Sequence, residues 1–102
     1  MRVRFSVAAR RDVVEAKTWY QAQDPDAALD LAFAHELEQV VEQIRRFPTA
    51  FPKTFLDARR ANLSRFPYGV FYVRRRSDLL VLAVLHHARH PSRWQQRYDT
   101  NR

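Results

Sequence analysis

A chain of 102 residues with 46% hydrophobic content, seven Phe, four Tyr and two Trp can bury a core of its own, and one domain over residues 1–102 is expected. It has no cysteine and a single glycine, which excludes disulfides, thiolate metal sites, a cysteine nucleophile and a glycine-rich phosphate loop. Eighteen Lys+Arg against eleven Asp+Glu give a formal charge of +7, and all but two of the basic residues are Arg. Such a surface suits nucleic acid or an acidic protein, but an arginine excess also serves plain solubility, so charge alone names no partner. The start, MRVRFSVAARRD, lacks the apolar core of a signal peptide. The longest apolar run, Leu79 to Leu85, is too short to span a bilayer. With no cysteine to call for an oxidising compartment, a cytoplasmic protein without a membrane segment is expected.

In chain order, RVRFSV alternates Val3, Phe5 and Val7 with Arg2, Arg4 and Ser6, the pattern of a short half-buried strand. AARRDVVEAKTWYQAQ follows as a helix with Ala9, Val13, Ala16 and Tyr20 at helical spacing, and Asp12 and Glu15 near the positive end of its dipole. At Asp24–Asp26 the chain breaks, and Asp24 can cap the next helix with Pro25 in its first position. That helix carries Leu29, Phe33, Leu37, Val40 or Val41, and Ile44 as one stripe, and Glu42 and Arg46 form an i,i+4 pair. Phe47-Pro48 ends it. Thr49 to Ala58 reads as a loop, RRANLSRF as a modest strand, and Tyr68 to Arg76 and Leu79 to His87 as strong strands joined at Ser77-Asp78. PSRWQQR gives one or two helical turns, and the tail from Tyr98 is expected to fray.

The order is β-α-α-β-β-β with a short C-terminal helical segment. This is an α+β fold, with an N-terminal helical hairpin packed on one face of an antiparallel sheet. Both faces of the last hairpin are apolar, and one helical layer covers only one of them. The second face needs the C-terminal segment, a second copy or a partner chain, and a partner is the leading idea.

Four histidines are present without metal-ligand spacing, since His86 and His87 point to opposite faces of a strand and no helical pair at i,i+4 exists. No metal and no cofactor are expected. RNA cleavage through the ribose 2′-hydroxyl needs a base, an acid and positive charge on the phosphorane. His86 or His87, with Arg59, Arg60 and Arg89, are the residue types for that work, and a capping role at the strand end suits the same histidines. Arg74 to Arg76 sit at the hairpin tip, and Arg65 flanks the second strand. Arg89, Arg93 and Arg97, spaced by four, would align on one face of a terminal helix as a grip for phosphates or for an acidic helix. No serine lies in a glycine-flanked nucleophile turn.

The segments AARRDVVEAKTWY, FAHELEQVVEQIRRFP, RRANLSRFPYGVFY and VLAVLHHARHPSRWQQR together resemble the ParE/RelE superfamily of toxins from type II toxin–antitoxin modules, closest to its ParE-like, plasmid-stabilisation branch. The resemblance runs from Val3 to about Arg97. It implies a growth-inhibiting toxin neutralised by a cognate antitoxin, an acidic protein with a DNA-binding N-terminus, whose helix or extended segment lies across the toxin. A toxin–antitoxin hetero-oligomer or a homodimer is the implied assembly. ParE-type members poison DNA gyrase, whereas RelE-type members cleave mRNA on the ribosome; an inactive remnant that only binds antitoxin is the third reading. Arg59, then Phe66, Pro67 and Tyr68, then His86, Arg89 and Pro91, then Trp94 and Arg97 occupy the family's pattern. As a ribonuclease, this chain would use Arg59, His86 and Arg89. As a target- or partner-binding protein, it would offer Arg59, Arg60, Arg65, Tyr72, Arg74, Arg89, Arg93, Trp94 and Arg97. RelE-type enzymes carry a lysine and arginine cluster on the central strands, whereas here Lys53 stands alone in its loop. That difference favours gyrase.

Overall fold

The computed structural model describes residues 1–101. Strand β1 (Arg2–Phe5) ends at Ser6, whose N–H donates to the Val81 carbonyl at 3.0 Å and whose Oγ accepts the Ala9 N–H at 3.0 Å. That second bond caps helix α1 (Val7–Gln23) and satisfies one of its orphan donors. The buried face of α1 is Ala9, Asp12, Ala16 and Tyr20, so Asp12 lies inside and not, as expected, at the surface beside the helix dipole.

Asp24 closes α1 instead of opening the next helix. Its backbone N–H donates to the Tyr20 carbonyl, and its Oδ1 accepts the Asp26 N–H at 3.2 Å. Residues 25–28 turn, and α2 (Leu29–Arg46) starts after Ala28 in the left-handed region without a side-chain cap. The stripe Phe33, Leu37, Val40 and Ile44 is buried as predicted. Glu42 pairs with Arg45 at 2.6 Å, three residues on, while the Arg46 guanidinium lies over the Phe47 ring at 5.4 Å.

The sheet has five strands, because the expected loop before Ala58 contains β2 (Lys53–Phe55). It pairs with β3 (Ala58–Asn62), followed by β4 (Tyr68–Arg75) and β5 (Asp78–His86). The order is β1-β5-β4-β3-β2; the last four strands in sequence run antiparallel, and β1 adds a parallel edge with Arg2 opposite Asp78 and Phe5 opposite Val81. The tight turn falls at Arg76-Ser77, one residue earlier than predicted. Asp78 already pairs with Arg75 in the ladder, and its carboxylate holds Arg2 at 3.0 Å and Arg4 at 2.8 Å.

Two cores flank this sheet. The helical hairpin packs Ala9, Ala16, Tyr20, Phe33, Leu37 and Ile44 on Val70, Tyr72, Leu79, Val81 and Val84. On the opposite face, α3 (Ser92–Thr100) sets Trp94 and Tyr98 on Phe71, Val73, Leu80, Leu82 and Leu85. Trp94 stacks on Phe71 with centroids 4.5 Å apart, and Phe55 from β2 meets both Trp94 and Tyr98 edge-on. The chain's own terminal helix therefore covers the second face, which corrects the idea that a partner does so. It also removes the expected frayed tail, since Tyr98 is buried and its hydroxyl donates to Asp57 Oδ1. Arg102 lies outside the described residues. Among the described residues, no helix is long and apolar enough to cross a membrane.

The two layers are joined around the edge of the sheet. β1 stops opposite Val81, so beyond that point β5 has an open edge. A bulge follows, because Phe71 pairs with Ala83 and Tyr72 with Val81, leaving Leu82 as the extra residue. Asp12 Oδ2 on α1 accepts the Val84 N–H at 2.9 Å, and Arg97 Nη1 on α3 donates to the Leu82 carbonyl at 3.1 Å. The two side chains pair with each other at 2.6 Å and 3.1 Å. One bidentate ion pair thus clamps helices from opposite faces and satisfies the orphan groups of the bulged edge.

Candidate binding site at the strand ends

β4 begins and β5 ends at the same place, with Tyr68 opposite His86. Beside them α1 presents Trp19, 56% exposed although it is a large aromatic. Together they line a cleft of about 720 Å³, walled by Trp19, Tyr20, Tyr68 and Leu85 and rimmed by Glu15 on one side and His86 and Arg89 on the other. The aromatic wall is fixed from behind. Tyr20 packs against Phe33, Phe66 and Tyr68 with centroids 4.9–6.1 Å apart. The loop that carries Phe66 is held by Glu36, whose carboxylate accepts the Ser64 Oγ–H at 2.7 Å and the backbone N–H groups of Ser64 and Arg65. Burial pushes Glu36 up, but the Ser64 hydroxyl and the backbone donors of Arg65, Ser64 and Phe66 bring it below the usual carboxylate range.

His86 is engaged locally. Its Nδ1 accepts the Ala88 N–H at 3.0 Å, its carbonyl accepts the Arg89 N–H at 3.0 Å, and its ring meets Tyr68 edge-on at 5.4 Å. Burial, then the neighbouring Tyr20 hydroxyl, push the Tyr68 hydroxyl above the ordinary tyrosine value against the opposing pull of Arg89.

Arg59 is elsewhere. Its Nη1 donates to the Thr49 carbonyl at 3.2 Å and the Phe51 carbonyl at 2.7 Å, and its strand partner Tyr72 donates to the Pro48 carbonyl at 2.7 Å. These two residues fasten residues 48–51 to the sheet. Four residues along β4 and two strand spacings separate Arg59 from His86, a distance of about 16 Å. His86 and Arg89 share the cleft, and Arg59 does not reach it.

The other predicted contact residues divide by exposure. Tyr72 and Trp94 are core side chains, 1% and 4% exposed. Arg97 is held by Asp12, and Arg89 precedes α3, so the row of Arg89, Arg93 and Arg97 is not a free helical face. Arg65, Arg74, Arg89 and Arg93 are exposed. Arg60 lies on the α3 side of the sheet, paired in register with Phe71. Among the described residues, no group of three His, Cys, Asp or Glu could hold a metal ion.

Sequence reasoning missed Trp19, Asp12 and Glu36. Asp12 had a signal, because Ala9, Asp12, Ala16 and Tyr20 follow a 3-4-4 spacing that places the acid inside the apolar stripe.

A helical hairpin on a mixed sheet, a terminal helix on the other face and an aromatic cleft edged by Glu15, His86 and Arg89 define a small α+β protein. The family model for the ParE toxin of the type II toxin-antitoxin system, parDE, matches residues 3–91, and the chain belongs to that family. A solved structure described as the chromosomal ParDE TA system from P. aeruginosa is similar in fold, with a TM-score of 0.64 at 17% identity, over 84% of this chain and 95% of that one. No curated protein sequence matches the chain.

Proposed function

We propose that this ParE-family toxin arrests growth by binding a protein target, DNA gyrase, and that a cognate antitoxin neutralises it by covering the toxin surface. The observation that supports a binding role over RNA cleavage is the separation of the candidate catalytic groups. Arg59 is tied to residues 48–51 about 16 Å from His86, and His86 Nδ1 is occupied by the Ala88 N–H. A base, an acid and a phosphorane clamp must meet around one phosphate, and these residues do not. The cleft walled by Trp19 and Tyr68, with Arg89 at its rim, has instead the aromatic and arginine character of protein interfaces.

Induced expression in bacteria tests this reading. DNA synthesis is expected to stop before protein synthesis, purified protein should trap gyrase cleavage complexes on DNA, and co-expressed antitoxin should abolish both effects. Translation arrest with mRNA cut in codon register and replication intact would overturn it in favour of a ribosome-dependent ribonuclease.

A further inference from the structure

The only glycine in the chain is not at any of its left-handed positions. Ala28, Leu56 and Arg76 adopt φ of 52°, 52° and 56° with their side chains in place. Gly69 instead lies within β4, between Asn62 on β3 and Leu85 on β5, without a positive φ. What its missing side chain provides is space. A Cβ there would sit 3.1 Å from Arg60 Cδ, 3.1 Å from Asn62 Oδ1 and 3.2 Å from Arg60 Cγ. Glycine weakens a strand interior unless something must approach the backbone closely, and here the Arg60 stem does. It lies over β4 with its Nε buried and without a hydrogen-bond partner, a second local penalty. None of the five ion pairs between described residues involves Arg60.

His87, just past the end of β5, is close enough to feel the Arg60 charge. Burial, then Arg60, then His86 push its imidazole below the ordinary histidine range. The wider field is mainly basic, although Arg75 is paired with Asp57 and Arg97 with Asp12. From residue 58 to residue 98 the sequence holds nine arginines and one acid, Asp78, which Arg2 and Arg4 already occupy. Eight of the eleven acids fall between residues 12 and 42, in the helical hairpin on the opposite face.

We propose that Arg60, laid over Gly69 beside His87, forms a notch for a phosphodiester, through which the α3 side of the sheet contacts the backbone of duplex DNA. The inference deepens the gyrase reading and rests on it only for the source of the DNA, since a protein acting on gyrase meets the duplex that gyrase holds. Two guanidinium Nη groups and an imidazole N–H supply donors for one phosphate, and the surrounding arginines favour a polyanion over a single carboxylate.

The test is fluorescence anisotropy of the full chain with a labelled 20-base-pair duplex across a salt series. The wild type is expected to bind with a salt-dependent affinity. Gly69→Val, which drives a side chain into the Arg60 stem, and Arg60→Gln should each weaken binding by about tenfold and lower the salt slope by about one. Arg10→Gln, which removes the same charge from the helical hairpin, should change it by less than about twofold. Gly69→Ala serves if the valine variant loses its urea unfolding transition. Wild-type binding by both Gly69→Ala and Arg60→Gln overturns the notch, as does no duplex binding at low salt. Tighter binding to single-stranded RNA of equal length overturns the duplex assignment. Trapped gyrase complexes without duplex binding by the toxin alone would sink this inference and leave the proposed function standing. Duplex binding without gyrase trapping would support the notch and remove the gyrase reading.

Discussion

In Asp12→Ala the clamp around the sheet edge loses the carboxylate that accepts from Val84 and from both terminal nitrogens of Arg97. The Asp12 side chain is 5% exposed and that of Arg97 18%, so the pair behaves as a buried one. Breaking a buried ion pair costs about 3–5 kcal/mol, and an unsatisfied buried N–H about 1–3 kcal/mol. The two penalties overlap. Arg97 keeps the Leu82 carbonyl at 3.1 Å and can turn partly toward water, so the lower figure, about 3 kcal/mol, is expected. A domain of this size has about 5–15 kcal/mol of stability, and each kcal/mol moves Tm by about 4–8 °C, so Tm should fall by about 12–24 °C. Urea unfolding followed by tryptophan fluorescence reads this directly, because Trp94 reports α3 against Phe71 while Trp19 reports the cleft. Arg97→Met leaves Asp12 buried without its cation and should cost at least as much. The double variant should cost clearly less than the two singles added together. A loss below about 0.5 kcal/mol in Asp12→Ala, or strict additivity of the singles, would refute the clamp.

Ala28→Gly and Arg76→Gly should each raise the urea midpoint by the equivalent of about 0.5 kcal/mol, since glycine relieves the left-handed strain at φ of 52° and 56°. A decrease in either would mean that the side chain holds its turn. Trp94→Ala should cost about 3–5 kcal/mol and open the α3 face to the dye ANS, read as a fluorescence rise absent from the wild type. Asp57 is held below its ordinary 3.8 first by the Tyr98 hydroxyl and then, against burial, by Arg75. A depressed carboxylate gives stability that is complete above its unfolded value and is lost as pH falls through the lower folded one. Asp57→Asn should therefore flatten the decline in urea midpoint below about pH 4, and an unchanged acid limb would contradict the assignment.

How much of this was legible follows from what each element depends on. The α2 stripe stood out because its burial repeats at helical spacing, and the β4–β5 hairpin because two unbroken apolar runs flank a short polar turn. β2 is three residues long, follows Pro52 and pairs irregularly, so its strand character comes from β3 and not from its own pattern. Asp24 has the chemistry of a helix cap, but its side chain reached the Asp26 N–H and the helix began three residues later. At the site, the strand-end residues His86 and Arg89 were identified and do share the cleft. Arg59, although basic and in the family pattern, is fixed to the Thr49 and Phe51 carbonyls by contacts ten and eight residues away that no local pattern encodes. Asp12, Glu36 and Gly69 act on residues distant in the chain, and composition alone assigns them to the surface or to flexibility.

The parallel seam between β1 and β5 has a consequence for the time course of folding. Its partners are 76 residues apart, whereas β4 and β5 meet across a two-residue turn. The hairpin can close early and the first strand can be seated only after it, because a long loop must be ordered before its contacts form. Until then β5 presents an unpaired apolar edge, the template on which nascent molecules aggregate. Substitutions in β1 or in the clamp should accordingly accelerate unfolding and leave the refolding rate almost unchanged, so that persistence of the native state, more than its speed of formation, is set where the two ends of the chain meet.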